Sequence, residues 1–423
     1  MVSGALDTVA AGGSCYVYSV VSTNGLGVST SSGDSTVVKV DTSAPVFTTA
    51  TTTTPSGATN AGLVTITPAS ATDGESPITA TQLYRKSALY LGGSCGVFGS
   101  AIPVSSPDLN VFADLCYTYS TVVTNASGLT ANSGDGDPVR IDRTGPTVTI
   151  NQAATQADPA NASPVLFRVV FSEPINVASF TAADVTIGGT ATGTRTVTIS
   201  QLSPTDGTTF QASVSSITST AQTGGTVIAS IAVGLVSDPA GNTSAASTST
   251  DNTVTYDTVR PTLTSINRST GATNPTNTGP LTWTATFVEP VSGVTASNFG
   301  VATSGITGTA PSITSVATTD GSTLSTTWVI TVSTTGAIGA NAGSIGVNLT
   351  SATGIADAAT NTLSTATLTG QTYTYDTTVP TVTVALAAAS DTGSSSSDGI
   401  TSAATLTYNV TFSESVTGLA TGD

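Results

Sequence analysis

This sequence predicts an all-β protein built as a tandem array of seven-stranded β-sandwiches. Three observations predict it: a linker motif that recurs at domain-length spacing, strands of period-two hydrophobicity in register with that motif, and a composition rich in Thr, Ser, Gly and Val. The chain has 423 residues, which at ordinary domain size means about three or four domains. Ser and Thr fill roughly a third of it, far above ordinary globular usage.

The linker motif is Asp-x-x-x-Pro, at Asp41, Asp142, Asp257 and Asp376, so that successive Asp residues are 101, 115 and 119 residues apart. A β-type run precedes each one, as in Pro138-Val139-Arg140-Ile141 and Thr253-Val254-Thr255-Tyr256. Another follows, as in Pro146-Thr147-Val148-Thr149-Ile150 and Pro380-Thr381-Val382-Thr383-Val384. This reads as last strand, short linker, first strand, and a Pro can open a strand there without leaving a ladder hydrogen bond unmade. The spacing matches a seven-stranded sandwich of about 100 residues. The units are then 45–145, 146–260 and 261–379, with the C-terminal part of a truncated unit at 1–44 and the N-terminal part of another at 380–423.

Two sub-types are present within this frame. Residues 15–45 align without a gap on 116–146, placing Cys15 on Cys116, Asn24 on Asn125 and Gly27 on Gly128. Later units share a different second strand: Val165, Phe167, Val169 and Phe171 match Leu281, Trp283, Ala285 and Phe287, and then Leu406, Tyr408, Val410 and Phe412. Large residues on one face and polar or small ones between them mark a half-buried strand. Trp283 and Trp328 fall within such patterns and are expected in the core.

Composition excludes several functions. The chain has no His, 9 Lys+Arg against 25 Asp+Glu, and a net charge of −16. Without His there is no Ser–His–Asp triad, no His-ligated zinc and no imidazole base. So few basic residues cannot build a nucleic-acid surface. No run of 18 or more apolar residues is present to span a membrane. No signal peptide is visible at the N-terminus.

The three Cys suggest an oxidising compartment. Cys95 and Cys116 lie within one unit, 21 residues apart, and are expected to pair. Cys15 sits in the register of Cys116 but only 14 residues precede it, so its partner is expected in a region of a longer parent. Three buried free thiols are the alternative.

The acidic residues are distributed unevenly. Of only four Glu, three follow the last Phe of the second strand by two residues: Glu173, Glu289 and Glu414. A second position recurs late in each unit, as Asp238 with Asn242 and as Asp357 with Asn361. The third is the linker Asp. In a seven-stranded sandwich the loop between strands two and three and the loop between strands six and seven share the pole where the incoming linker arrives. Asp142, Glu173 and Asp238 should therefore converge, as should Asp257, Glu289 and Asp357, while Asp376 and Glu414 begin a third set. Such carboxylates repel, and hard oxygen ligands without nitrogen or sulfur favour Ca²⁺. The alternative is that Asp238, Asn242 and their counterparts only make turns. Asp206-Gly207 and Asp320-Gly321 read as hairpin turns, and Asp184, Asn298 and Asp423 share a register as turn residues or extra ligands.

Phe-Ser-Glu-Pro, Asp-Pro-Ala-Gly-Asn and Tyr-Asp-Thr-x-x-Pro, in that order, resemble the bacterial Ig-like repeats of large surface adhesins and biofilm proteins, over about residues 146–423. Ser415 departs from the Pro, and residues 357–361 lack the Gly, which sets the loop conformation of that unit in question. Residues 1–145 are more loosely similar to Ig-like or fibronectin type III domains, which makes Tyr16 and Tyr117 tyrosine-corner candidates. The resemblance implies Ig-like sandwiches, Ca²⁺ held between domains by the acidic loops, and a non-catalytic stalk outside the cell. Its partners are then neighbouring repeats, with an unknown surface ligand met by a region outside this sequence. A carbohydrate-binding or spacer module of a secreted enzyme is the rival reading.

Overall fold

Alternation along the strands decides how each unit closes. The computed structural model describes residues 6–8, 10–91, 94–420 and 422, the side chains of 340–342 excepted. In the unit after Asp142 the strands are β1 (Val148–Gln152), β2 (Val165–Phe171), β3 (Val185–Gly188), β4 (Thr196–Gln201), β5 (Thr209–Ser215), β6 (Gly225–Ile231) and β7 (Thr253–Tyr256). They form two antiparallel sheets in the orders β1-β2-β5-β4 and β3-β6-β7. That four-plus-three division is the arrangement of an Ig constant-type sandwich.

The next unit repeats it. Strands β8 (Leu263–Arg268), β9 (Leu281–Val291), β10 (Phe299–Gly308), β11 (Ser312–Ala317), β12 (Ser325–Ser333), β13 (Ala337–Leu349) and β14 (Leu368–Tyr375) give the orders β8-β9-β12-β11 and β10-β13-β14. After Asp376, Val382–Leu386 pairs antiparallel with Tyr408–Phe412. The first-to-second strand register is constant through all three: Val148 opposes Phe171, Leu263 opposes Phe287, and Val382 opposes Phe412.

Inward residues of β2 are buried and alternate with less buried ones. Phe171, Phe180 and Phe210 meet edge to face with centroids 5.2–5.9 Å apart. Each such ring contributes about 2–3 kcal/mol by burial. In the following sandwich Trp283 is fully buried, edge-on to Tyr373 at 4.9 Å, and its indole N–H donates to the Gln371 carbonyl at 2.8 Å. Trp328 is buried as well. Both tryptophans are therefore core residues.

The unit before Asp142 is organised around Ile78–Leu91 and Leu115–Asn125, paired antiparallel over eleven positions. The Tyr117 hydroxyl accepts from the Phe112 N–H at 2.9 Å and the Tyr16 hydroxyl from the Ala11 N–H at 2.6 Å, the corner geometry expected of both. Cys95 and Cys116 form a disulfide with Cα atoms 5.8 Å apart. Cys15 is free and exposed.

Each complete unit also ties an early segment to its last strand in parallel. Gly57–Thr59 pairs with Val139–Ile141, Ala160 bridges Tyr256, and Thr276 bridges Tyr375. The linker extends these bridges, since the N–H groups of Asp142, Asp257 and Asp376 donate to the carbonyls of Thr59, Ala160 and Thr276 at 2.8–3.0 Å. Among the described residues no helix is long and apolar enough to cross a membrane.

Candidate metal centres at the domain joints

Three local rules place the acidic side chains. First, each linker Asp makes the same turn: the Oδ1 atoms of Asp41, Asp142, Asp257 and Asp376 accept from the N–H two residues on, at 3.0–3.1 Å. This Asx turn fixes the carboxylate at the mouth of the linker. Second, the residue before each Glu still bonds the first strand, with Ser172, Val288 and Ser413 donating to Thr147, Thr262 and Thr381. The Glu that follows lies just beyond the strand in the first and third of these units, and in the middle one Glu289 sits within β9 where its pairing with β12 is interrupted between Thr286 and Val291. Third, the loop between the last two strands folds on an Asp–Asn pair. Asp238 Oδ1 accepts from the Asn242 N–H at 2.9 Å, and Asp238 Oδ2 from its Nδ2 at 2.8 Å. Asp357 and Asn361 reproduce this at 2.8 and 2.9 Å.

The same Asn reaches across the joint. Asn242 Nδ2 donates to the Asp142 carbonyl and Asn361 Nδ2 to the Asp257 carbonyl, both at 3.0 Å. These amides, expected from sequence as metal ligands, act here as clips that hold the loop carboxylate against the linker. The missing Gly does not alter the loop: Thr360 takes the left-handed φ of +68°, as Gly241 does at +90°. That conformation costs a side chain about 1–2 kcal/mol, and Thr360 Oγ1 accepts from Asn161 Nδ2 of the preceding sandwich at 3.2 Å.

The expected convergence is present twice. Carboxylate oxygens of Asp142, Glu173 and Asp238 lie within 4.8 Å of one another, and so do those of Asp257, Glu289 and Asp357. In the second set the three residues are only 4%, 3% and 5% exposed. Glu289 Oε1 is buried there without a hydrogen-bond partner. Asp376 and Glu414 keep the register, but no third carboxylate joins them among the described residues.

The electrostatics follow from this crowding. Burial pushes the Glu173 carboxyl up to about 7, helped by the charges of Asp142 and Asp238. Glu289 is likewise pushed up to about 7 by burial, then by Asp357 and Asp257. Asp257 is raised by burial, with the Val259 N–H opposing and Asp357 adding. Among the described residues the ion pairs are Arg85–Asp108 and Lys86–Asp135, neither at these joints. Arg140 borders the cavity of about 170 Å³ beside Asp142 and Glu173, yet its guanidinium lies over the Tyr90 ring at 5.9 Å. The Asp257 cavity, about 120 Å³, is walled by Pro159 and Thr223 of one sandwich and by Glu289, Pro290 and Asp357 of the next.

These donors fit a hard cation. Oxygens on opposite sides of Ca²⁺ stand about 4.6–5.2 Å apart, twice the ligand distance, and the separation within each triad does not exceed this. A buried carboxylate oxygen without a hydrogen-bond partner, beside other carboxylates, is the kind of group such an ion satisfies.

The remaining acidic candidates make turns and caps. Asp206 and Asp320 accept from the N–H groups of Thr208 and Ser322 at 3.0 Å, each followed by a Gly of positive φ. Asp184 and Asn298 close capping boxes with Thr181 and Thr295. Asp423 lies outside the described residues.

One acidic meeting escaped the sequence reading. At the Asp41 joint, Asp41 and Asp73 meet at Asn125, and Glu75 accepts from the Thr42 N–H of the linker. The Asn125 amide, with the N–H groups of Glu75 and Ser76, holds the Asp73 carboxyl below its ordinary value. The available signal was Asp73 and Glu75 just ahead of a long strand, with Asn125 recurring as Asn24. No protein-family model and no curated protein matches this chain.

Proposed function

We propose that this chain is a structural stalk segment of a large bacterial surface adhesin or biofilm-type protein, in which Ca²⁺ stiffens the joints between sandwiches outside the cell. The observation that carries the reading is the pair of carboxylate triads, each assembled from a linker and two segments of the domain that follows. Rotating one domain against the next would pull the linker carboxylate out of its set, so an ion bound to all three resists that rotation. Extracellular modules typically take Ca²⁺ at about 10⁻⁴–10⁻³ M, and the disulfide suits an oxidising space. No catalytic role is assigned, because the carboxylates recur at joints and not at one cleft.

Addition of Ca²⁺ should raise the melting temperature and lengthen the particle in solution X-ray scattering. Identical melting and dimensions with and without chelator would remove the clamp from this reading.

A second reading, a non-catalytic ligand-binding module, draws on one cleft of about 410 Å³ in the disulfide-bonded unit. It is lined by Gln82, Arg85, Pro103, Ser105 and Asn110, among others. Neither buried Trp offers a sugar platform. Saturation-transfer NMR with simple hexoses tests it, and a signal abolished by Arg85→Ala would favour it.

A further inference from the structure

The joint after Asp41 brings the same three elements together with different chemistry. The linker supplies Asp41, the loop before Ile78–Leu91 supplies Asp73 and Glu75, and the end of Leu115–Asn125, where the chain turns, supplies Asn125. Later units place an Asp in the corresponding loop, Asp238 or Asp357. Asn125 Nδ2 donates to Asp41 Oδ2 at 2.9 Å and to Asp73 Oδ2 at 3.0 Å. Its Oδ1 accepts from the N–H groups of Ser127 and Leu129, which fixes the amide with its nitrogen toward the carboxylates. Asn125 is buried.

Neutral donors complete this joint. Ser127 Oγ donates to Asp41 Oδ2 at 3.0 Å, the Thr42 N–H to Glu75 Oε2 at 3.0 Å, and the N–H groups of Glu75 and Ser76 to Asp73 Oδ1. Each of the three carboxylates therefore has a donor from another residue of the joint. At Asp257 the balance is opposite, because Glu289 Oε1 is buried without one and the clip Asn361 reaches only one carboxylate side chain.

We infer that the Asn125 carboxamide occupies the position a cation would take at the later joints, so that the Asp41 joint closes without metal. Calcium then controls the joints after Asp142 and Asp257 but not the one after Asp41. The contrast rests on the calcium reading of those joints, whereas the amide lock stands on its own hydrogen bonds.

The test uses the full chain, calcium as the sole added ion, and chelator as its removal. Backbone hydrogen exchange at residues 41–44 should be the same in both conditions. At 142–145 and 257–260 exchange should speed up about tenfold or more on chelation. Asn125→Asp keeps the Oδ1 acceptor for the turn but replaces the donor with a fourth carboxylate. It should bind one calcium ion more than the parent by titration calorimetry and make residues 41–44 sensitive to chelator. Asn125→Ala should open those residues in both conditions. The inference is overturned if chelation loosens residues 41–44 of the parent as much as 257–260. It is also overturned if a folded Asn125→Asp chain gains no ion, or if Asn125→Ala leaves the joint closed. A parent that binds no calcium, with Asn125→Ala still opening the first joint, would overturn the calcium reading while supporting the amide lock.

Discussion

Replacing Glu289 by Gln isolates the electrostatic state of one joint. The Glu289 carboxyl stands at about 7 in the folded chain against an ordinary 4.5. The folded state therefore holds a proton that the unfolded state has released, and stability falls as pH rises through that interval. The full penalty is present above about pH 7 and absent below about pH 4.5. At about 1.4 kcal/mol per pKa unit, and discounting for solvent screening, the penalty is about 2 kcal/mol. For a domain of this size that is about 8 °C in melting temperature. In chelator, Glu289→Gln should remove this falling limb, melting higher than the parent near pH 8 and together with it near pH 4.5. With calcium the order should reverse, because the parent gains an ion that neutralises the triad and releases its proton, while the Gln variant has lost a charged ligand. Thermal scans across pH in calcium and in chelator measure both effects. Equal pH slopes for parent and variant in chelator would refute the crowding argument itself, whatever calcium does.

Other consequences can be measured in the same way. Asn361→Ala removes the amide bonds to Asp357 and to the Asp257 carbonyl, so it should destabilise that sandwich by about 2 kcal/mol and weaken calcium binding in calorimetry. Tyr117→Phe removes the hydroxyl that accepts from Phe112 and should lower denaturant stability of the 45–145 unit by about 1 kcal/mol. Reduction of Cys95–Cys116 opens a closed loop of 21 residues of separation and should cost the same unit about 3 kcal/mol, visible as a selective drop in its melting with dithiothreitol.

Much of the architecture was legible because β-structure writes itself in period two. Phe167, Val169 and Phe171 could be assigned to one face before any coordinate was known, and their recurrence fixed the register of three units. The poles followed from topology, which is why Asp142, Glu173 and Asp238 could be brought together across almost a hundred residues of sequence. What stayed hidden depended on side-chain direction. Asn242 and Asn361 carry an oxygen and a nitrogen, and composition cannot say which one faces the carboxylates. Thr360 defied its own propensity, because the Asp357–Asn361 hydrogen bonds impose the left-handed turn on whatever residue precedes the Asn. The Asp41 joint was missed for a related reason. Its third partner, Asn125, is neutral, so repetition of charge along the chain does not mark it.

The parallel bridges between early and late segments have a bearing on tension. A pull applied at the two linkers of a unit draws Gly57–Thr59 and Val139–Ile141 in opposite directions along their common axis. The bonds between them must then slide and break together, whereas a hairpin pulled from its open end parts one rung at a time. Resistance to force would thus come from the direction of pairing more than from the number of bonds, and the rate of forced opening, not the equilibrium stability, would set how long such a tether holds.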